Sequence, residues 1–221
     1  EKPSIRIFRK ENGGKGSALN VGIEKARGEF IGTLDADSFV SRNSVKKMVG
    51  YFEDKRVMAV TPALNVHKPK GFWPRIQWSE YVIGIFLRKI FDFSETQRVA
   101  PGPLSIYRKS FFEKHGNFDE NDITEDSEMA MRIQYKGYKI KNSIAANVLT
   151  VCPQSFMGLL RQRLRWYYGF SKNAFGRYRK MFNPIYGNFS LLLAFAFFSV
   201  IFSIAVAYIL ISYGYENVED S

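Results

Sequence analysis

Between Lys180 and Glu216 the chain carries no charged residue, although 24% of its 221 residues are Asp, Glu, Lys or Arg. The run "FSLLLAFAFFSVIFSIAVAYILIS", Phe189 to Ser212, lies inside that gap. As a helix it is long enough to cross a hydrocarbon core of about 30 Å, and a helix satisfies its own backbone there. The competing reading is a helix buried in a soluble core. A basic run from Arg161 to Lys180, uninterrupted by acid, precedes the segment, and Glu216, Glu219 and Asp220 follow it. Basic residues collect on the cytoplasmic side of a span. The expectation is a chain at the cell membrane, with everything before Asn188 cytoplasmic and the C-terminal tail outside.

The first two-thirds alternates strand and helix patterns. Strands are expected at "SIRIF" (Ser4–Phe8), "EFIGTL", "VMAVTPAL", "LSIYR" and "NVLTVCP", with Pro62 breaking the third. Helices are expected at "GSALNVGIEKAR", "NSVKKMVGYFED", "FWPRIQWSEYVIGIFLRKIFDF", "KSFFEKHG" and "EDSEMAMRIQYKG". In the last of these, Thr124 suits the N-cap and Gly137 the C-terminal stop. This order predicts an α/β fold: a Rossmann-like, mainly parallel sheet with helices on both faces. Ligands of such sheets collect at the carboxyl ends of the strands. The expected domains are a catalytic one at 1–154, an amphipathic interface helix at 155–187, the membrane helix at 188–213 and a polar tail at 214–221.

Net charge is +11, which points to anionic partners. Much of the excess sits beside the apolar run, where a membrane accounts for it, and no nucleic-acid motif occurs. Cys152 is the one cysteine and the histidines are His67 and His115, which excludes a disulfide framework and a zinc cluster. The opening "EKPSIRIFRKENGGKG" has no apolar core and is not a signal peptide. The chain reads as starting partway through a larger protein.

Four short stretches carry chemistry. "DAD" puts Asp35 and Asp37 two residues apart at a strand end, on one face if the strand persists. Two such carboxylates suit a hard cation, Mg²⁺ or Mn²⁺, or else a polar turn. "NGGKGSALN" sets glycines around Lys15 before a helix, where backbone N–H groups favour an anion. In "TED", helical spacing puts Asp126 on the inward face with Met129, Ala130 and Ile133, and Glu128 on the solvent side. An inward carboxylate at a cleft is a candidate general base. In "QRLRW", Gln162, Arg165 and Trp166 cluster opposite an apolar stripe of Phe156, Leu160, Leu164 and Tyr167. That arrangement suits a sugar and diphosphate platform, or a membrane-surface helix.

In this order, with "GPLSIYR" between "DAD" and "TED", the motifs resemble the membrane-bound, processive members of glycosyltransferase family 2. Hyaluronan, chitin, cellulose and poly-N-acetylglucosamine synthases belong there. The resemblance runs from Ile5 to the apolar run and implies a GT-A-like fold whose first strand lies before Glu1. It implies that Asp37 binds the divalent metal and that Asp35 contacts metal or donor. Lys15 and Asn20 would shape the donor side, while Gln162 and Arg165 hold the diphosphate. Asp126 would deprotonate the acceptor with Glu125 beside it. Gly102 and Pro103 would line the acceptor terminus, and Trp166 would stack on sugar.

The implied activity is inverting transfer from a nucleotide sugar, a UDP-sugar first, to a β-linked polysaccharide at the membrane. The implied partners are the donor, a saccharide or lipid-linked acceptor, and membrane lipids, with no nucleic acid. Alternatives are a non-processive enzyme acting on a lipid-linked acceptor and a basic membrane-anchored binding module without activity.

Overall fold

The structure, a computed structural model, describes residues 5–219; in the last helix the side chains described are those of 188–199, 201, 202, 205, 206 and 208. The chain forms two compact units, Glu1–Tyr178 and Arg179–Ser221. In the first, the elements are α1 (Gly14–Lys25), β1 (Phe30–Thr33), β2 (Ser38–Val40), α2 (Ser44–Val49), β3 (Val57–Val66), α3 (Phe72–Phe93), β4 (Ser105–Arg108), α4 (Lys109–His115), α5 (Glu125–Tyr135), β5 (Lys139–Thr150) and α6 (Phe156–Phe175). Two short 3-10 turns and α7 (Asn188–Glu219) make the second.

The strands form one sheet in the order β1-β4-β3-β5-β2. Helices cover both faces, as an α/β chain requires. On one face Ile23 of α1, Phe111 and Phe112 of α4, and Met129 and Ile133 of α5 pack over Ile31, Ala59 and Tyr107. On the other, Met48 of α2 and Tyr81 of α3 lie over Val60, Leu64, Ile106 and Val148.

The expected parallel character is not what forms. Of the four pairings among the described strands, β3–β5 is parallel, whereas β1–β4, β3–β4 and β2–β5 are antiparallel. The reason lies between β3 and β4. The 22 residues of α3 carry the chain about 33 Å at 1.5 Å per residue. Residues 94–104 then turn back along the helix, where Gln97 Nε2 donates to the Arg88 carbonyl at 2.6 Å. The strand that follows therefore enters from the other end. A return segment with no periodicity of its own leaves no such signal in the sequence.

Three strand expectations change for local reasons. Pro62 does not break β3; the ladder bulges between Pro62 and Ala63, and Asn142 Nδ2 reaches Thr61 Oγ1 at 2.9 Å and the Pro62 carbonyl at 3.2 Å. That side chain donates to acceptors of β3 at the bulge, so the strand continues past a residue that has no N–H to give the ladder. β5 begins at Lys139, well before the expected Asn147. Its charged residues have partners remote in sequence, Lys139 with Glu95 and Lys141 with Asp92. The expected first strand is irregular over residues 5–8, with Ile5 and Ile7 exposed, and Ser4 lies outside the described residues. A strand needs a neighbour for its backbone groups, and no described strand pairs with it.

In the second unit α7 covers the apolar run and continues to Glu219, so the expected tail from 214 is helical that far. Among the described residues no helix is long and apolar enough to cross a membrane. The crossing expected at 188–213 falls partly on side chains outside them.

Candidate active site

Strand β1 stops at Thr33, so Asp35 and Asp37 belong to the turn between β1 and β2 and not to a continuing strand. The turn closes by the Ser38 N–H donating to the Asp35 carbonyl at 3.1 Å. The two carboxylates therefore separate in role. Asp35 Oδ1 lies 2.7 Å from Lys15 Nζ. Asp37 is exposed and accepts long bonds from Ser38 Oγ at 3.3 Å and Thr150 Oγ1 at 3.5 Å. A groove of about 310 Å³ between α1 and β1 runs up to this turn through Leu34.

Lys15 is the meeting point. Its ammonium also lies 3.0 Å from Glu125 Oε1, so three motifs far apart in sequence converge on one charge. Burial works against that charge, and the two carboxylates overcome it, holding the lysine above its ordinary range. Gly102 makes the approach possible. A Cβ there would sit 2.3 Å from Lys15 Nζ and 2.6 Å from Asp35 Oδ2. The turn carrying Gly102 and buried Pro103 is pinned from inside: Ser105 Oγ donates to the Pro101 carbonyl at 2.6 Å and Tyr107 Oη to the Ala100 carbonyl at 3.2 Å. Leu104 has φ +51°, a strained conformation for a branched side chain.

Asp126 opens α5 behind Glu125. Its carboxylate accepts from the Ser127 N–H at 2.8 Å. Burial among protein atoms, then the like charge of Glu125, raise it to a pKa of about 6; Lys15, the Ser127 bond and Arg165 oppose the rise. Burial, with Asp126 as the next cause, pushes the Tyr107 hydroxyl up. Thr124 occupies the N-cap position but makes no side-chain cap bond, its hydroxyl donating to Asp122 at 3.1 Å instead.

Glu128 corrects the helical-wheel expectation. It is 0% exposed, bound to Arg132, to Arg177 Nη1 at 3.1 Å, and to the Tyr178 hydroxyl. Arg177 and Tyr178 follow α6, so this acid ties the end of that segment to α5. A wheel sees only one helix: Arg132 lies on it, but Arg177 and Tyr178, which complete the partners of the buried carboxylate, come from the segment after α6.

Helix α6 lies against the start of α5 at Gly169, where a Cβ would stand 2.2 Å from Thr124 Oγ1. Residues three and four apart share a helix face, so Gln162, Arg165, Trp166 and Gly169 make one stripe. The opposite stripe leaves Phe156, Leu164 and Tyr167 exposed. Within the motif, Arg165 is exposed, and its charge reaches Asp126. Trp166 stacks with Arg163, not Arg165, at 4.4 Å. Arg163 pairs in turn with Glu80 of α3, and Gln77 of α3 donates to Gln162 at 3.2 Å. Gln77 and Glu80 are invisible to motif reading; a glutamine in the second turn of a greasy helix was the available signal. Asn20 exchanges bonds of 3.0 Å with the Phe118 backbone and donates to Glu120 Oε1 at 2.9 Å.

Among the described residues no group of three His, Cys, Asp or Glu could hold a metal. The donor set still suits Mg²⁺ or Mn²⁺, which keep waters and take one or two carboxylates beside substrate phosphates. Asp37, exposed with two long hydroxyl bonds, has lone pairs to offer, and Asp35 lies two residues away.

The sequence model for "Glycosyl transferase family group 2" matches residues 30–216. The chain is 30% identical over 168 residues to the poly-beta-1,6-N-acetyl-D-glucosamine synthase of Staphylococcus aureus, covering 75% of this chain and 40% of that protein. The synthase of the same name from Staphylococcus epidermidis is 29% identical over 161 residues, covering 72% and 39%. The chain thus spans about two-fifths of the length of these relatives. Among solved structures, a mannosyltransferase of Pyrobaculum calidifontis in complex with GDP-Man and Mn2+ aligns with a TM-score of 0.63 at 21% identity, over 78% of this chain and 46% of that one. At that identity the likeness speaks for the fold, a GT-A-like α/β domain with a mixed sheet. Family match and fold agree: the chain belongs to glycosyl transferase family group 2.

Proposed function

We propose that the protein containing this chain is an inverting glycosyltransferase that moves a sugar from a nucleotide sugar to a growing β-linked polysaccharide at a membrane. The observation that carries this reading is the convergence of Lys15, Asp35 and Glu125 beside Asp126. The acceptor hydroxyl oxygen bonds to the anomeric carbon as the bond to the nucleoside diphosphate breaks, in one step that inverts the centre. Asp126 takes the hydroxyl proton; a base with a pKa of about 6 is ionised at neutral pH yet basic enough to be useful. Arg165 and Gln162 hold the departing diphosphate, Trp166 stacks on sugar, and Gly102 and Pro103 line the acceptor. A divalent cation held by Asp37 and Asp35 supplies neutralisation of charge on the leaving diphosphate when bound. Lys15 balances Asp35 and Glu125 and holds the donor side together.

The membrane placement rests on the uncharged run around α7 and on the exposed apolar stripe of α6. The named relatives make an N-acetylglucosamine donor the first to test. In the full-length protein, UDP release from a UDP-sugar is expected to fall about 10²–10⁴-fold in Asp126→Asn and to cease on chelation of divalent cations. Full turnover in that variant ends the base assignment, and turnover in chelator ends the metal assignment. A single sugar added to a lipid carrier replaces the polymer reading.

A further inference from the structure

Gln77 is 0% exposed in the second turn of α3 and has no part in the chemistry above. Its Nε2 donates to Tyr81 Oη at 3.1 Å and to Gln162 Oε1 at 3.2 Å. Arg163 Nη1 donates to the same Gln162 oxygen at 3.2 Å. A guanidinium has donors only. The Gln162 atom facing Arg163 must therefore be oxygen, and the Gln77 atom facing that oxygen must be nitrogen. Donor chemistry fixes both amides, which shape alone does not. Arg163 is itself held from two sides, by Glu80 of α3 and by the Trp166 ring at 4.4 Å.

Gln162 Oε1 thus has a donor on each lone pair. Among the described residues its Nε2 has no hydrogen-bond partner, yet it is not one of the buried unpaired atoms although the residue is half-buried. The amino end of the amide is therefore open. Gln77 Oε1, by contrast, is buried with no partner, which is costly. A residue kept at that cost serves position more than packing.

We propose that Gln77, acting with Arg163, is a positioning residue: it turns the Gln162 carboxamide so that its N–H donors, not its oxygen, face the donor diphosphate. The inference rests on the role given to Gln162 under Proposed function. Orientation decides the sign of the contact. Presented nitrogen-first, the amide donates to phosphate oxygens; reversed, it sets oxygen against oxygen.

A double-mutant cycle in the full-length protein tests this, with UDP as the probe. The readouts are the UDP dissociation constant and the donor KM, separated from kcat. Gln77→Met keeps length and removes both donors. It is expected to weaken UDP and raise donor KM about fivefold to tenfold, with acceptor KM unchanged. Gln162→Ala alone is expected to cost about tenfold or more, and Gln77→Met added to it nothing further. A purely structural role would instead make the two losses multiply, which overturns the inference. So does wild-type UDP affinity in Gln77→Met beside a loss in Gln162→Ala, and that outcome leaves the site reading standing. Unchanged affinity in Gln162→Ala removes the diphosphate role of Gln162, and the inference with it. Should Gln77→Met fail to fold, Gln77→Glu carries the test above the pKa of the new carboxyl. It presents acceptors only, draws the Gln162 nitrogen inward, and is expected to weaken UDP more than tenfold; wild-type affinity there overturns the proposal.

Discussion

Asp126 keeps its proton to a higher pH than a free aspartate because burial and the charge of Glu125 outweigh Lys15 and Arg165. The same imbalance is a statement about stability. An unfolded aspartate titrates near 4 and this one at about 6. Below pH ~4 both states hold the proton and the group costs nothing. Between those values the folded state holds a proton the unfolded state has lost, so stability falls as pH rises; above 6 the loss is complete, about 3 kcal/mol. Asp126→Asn is therefore expected to unfold about 6–12 °C above the wild type at pH 8 and level with it at pH 4, in thermal scans at both. Equal midpoints at pH 8 would mean the carboxylate is not strained. That Asp126 points inward was legible in the sequence, from its spacing to Met129, Ala130 and Ile133. That Lys15 joins Asp35 to Glu125 was not, because nothing local relates positions so far apart.

Helices α5 and α6 meet where the side chain of Thr124, at the start of α5, fills the space that Gly169 leaves on α6. The Cβ-free surface of Gly169 faces Thr124, and further along Asn173 Nδ2 donates to Asp122 Oδ2 at 2.9 Å. Beyond α6, Arg177 and Tyr178 close on Glu128. The contact sets the height of the "QRLRW" stripe over Asp126. Gly169→Ala must push the helices apart, and overpacking of this kind typically costs about 1–3 kcal/mol. The expected result is a lower thermal midpoint together with a loss of donor affinity; a midpoint and affinity like the wild type would place the stripe by other means. The sequence marked the start of α6 and its two faces, because 3.6-residue periodicity is a local property, but carried the helix to 187 where it ends at Phe175, short 3-10 turns following. It erred on Glu128, since a buried acid reads as a surface one until its partners on other elements are known. The stacking of Arg163, anchored by Glu80 of α3, on Trp166 left no signal in the sequence.

At the scale of the chain, two units carry different physics. The first buries apolar residues on both faces of a mixed sheet. The second is dominated by α7, whose described side chains include exposed Leu191, Phe195, Phe198 and Phe202. Apolar surface of that extent gains from a nonaqueous neighbour. The full-length protein is expected to stay in the membrane pellet through an alkaline carbonate wash; recovery in the soluble fraction would exclude a crossing. The amino-acid sequence by itself missed β2 and placed a strand at 4–8 where residues 5–8 are irregular, but it determined the helices and most of the strands, the helices on both faces, the motif set and the uncharged run. Each follows from periodicity, composition or spacing within one segment. Only the tertiary structure decided the antiparallel entry of β4, the different partners of Asp35 and Asp37, the burial of Glu128 and the grip of α3 on Gln162. Each of these depends on which distant groups meet, and the charges and hydrogen bonds that settle them exist only once the chain has closed.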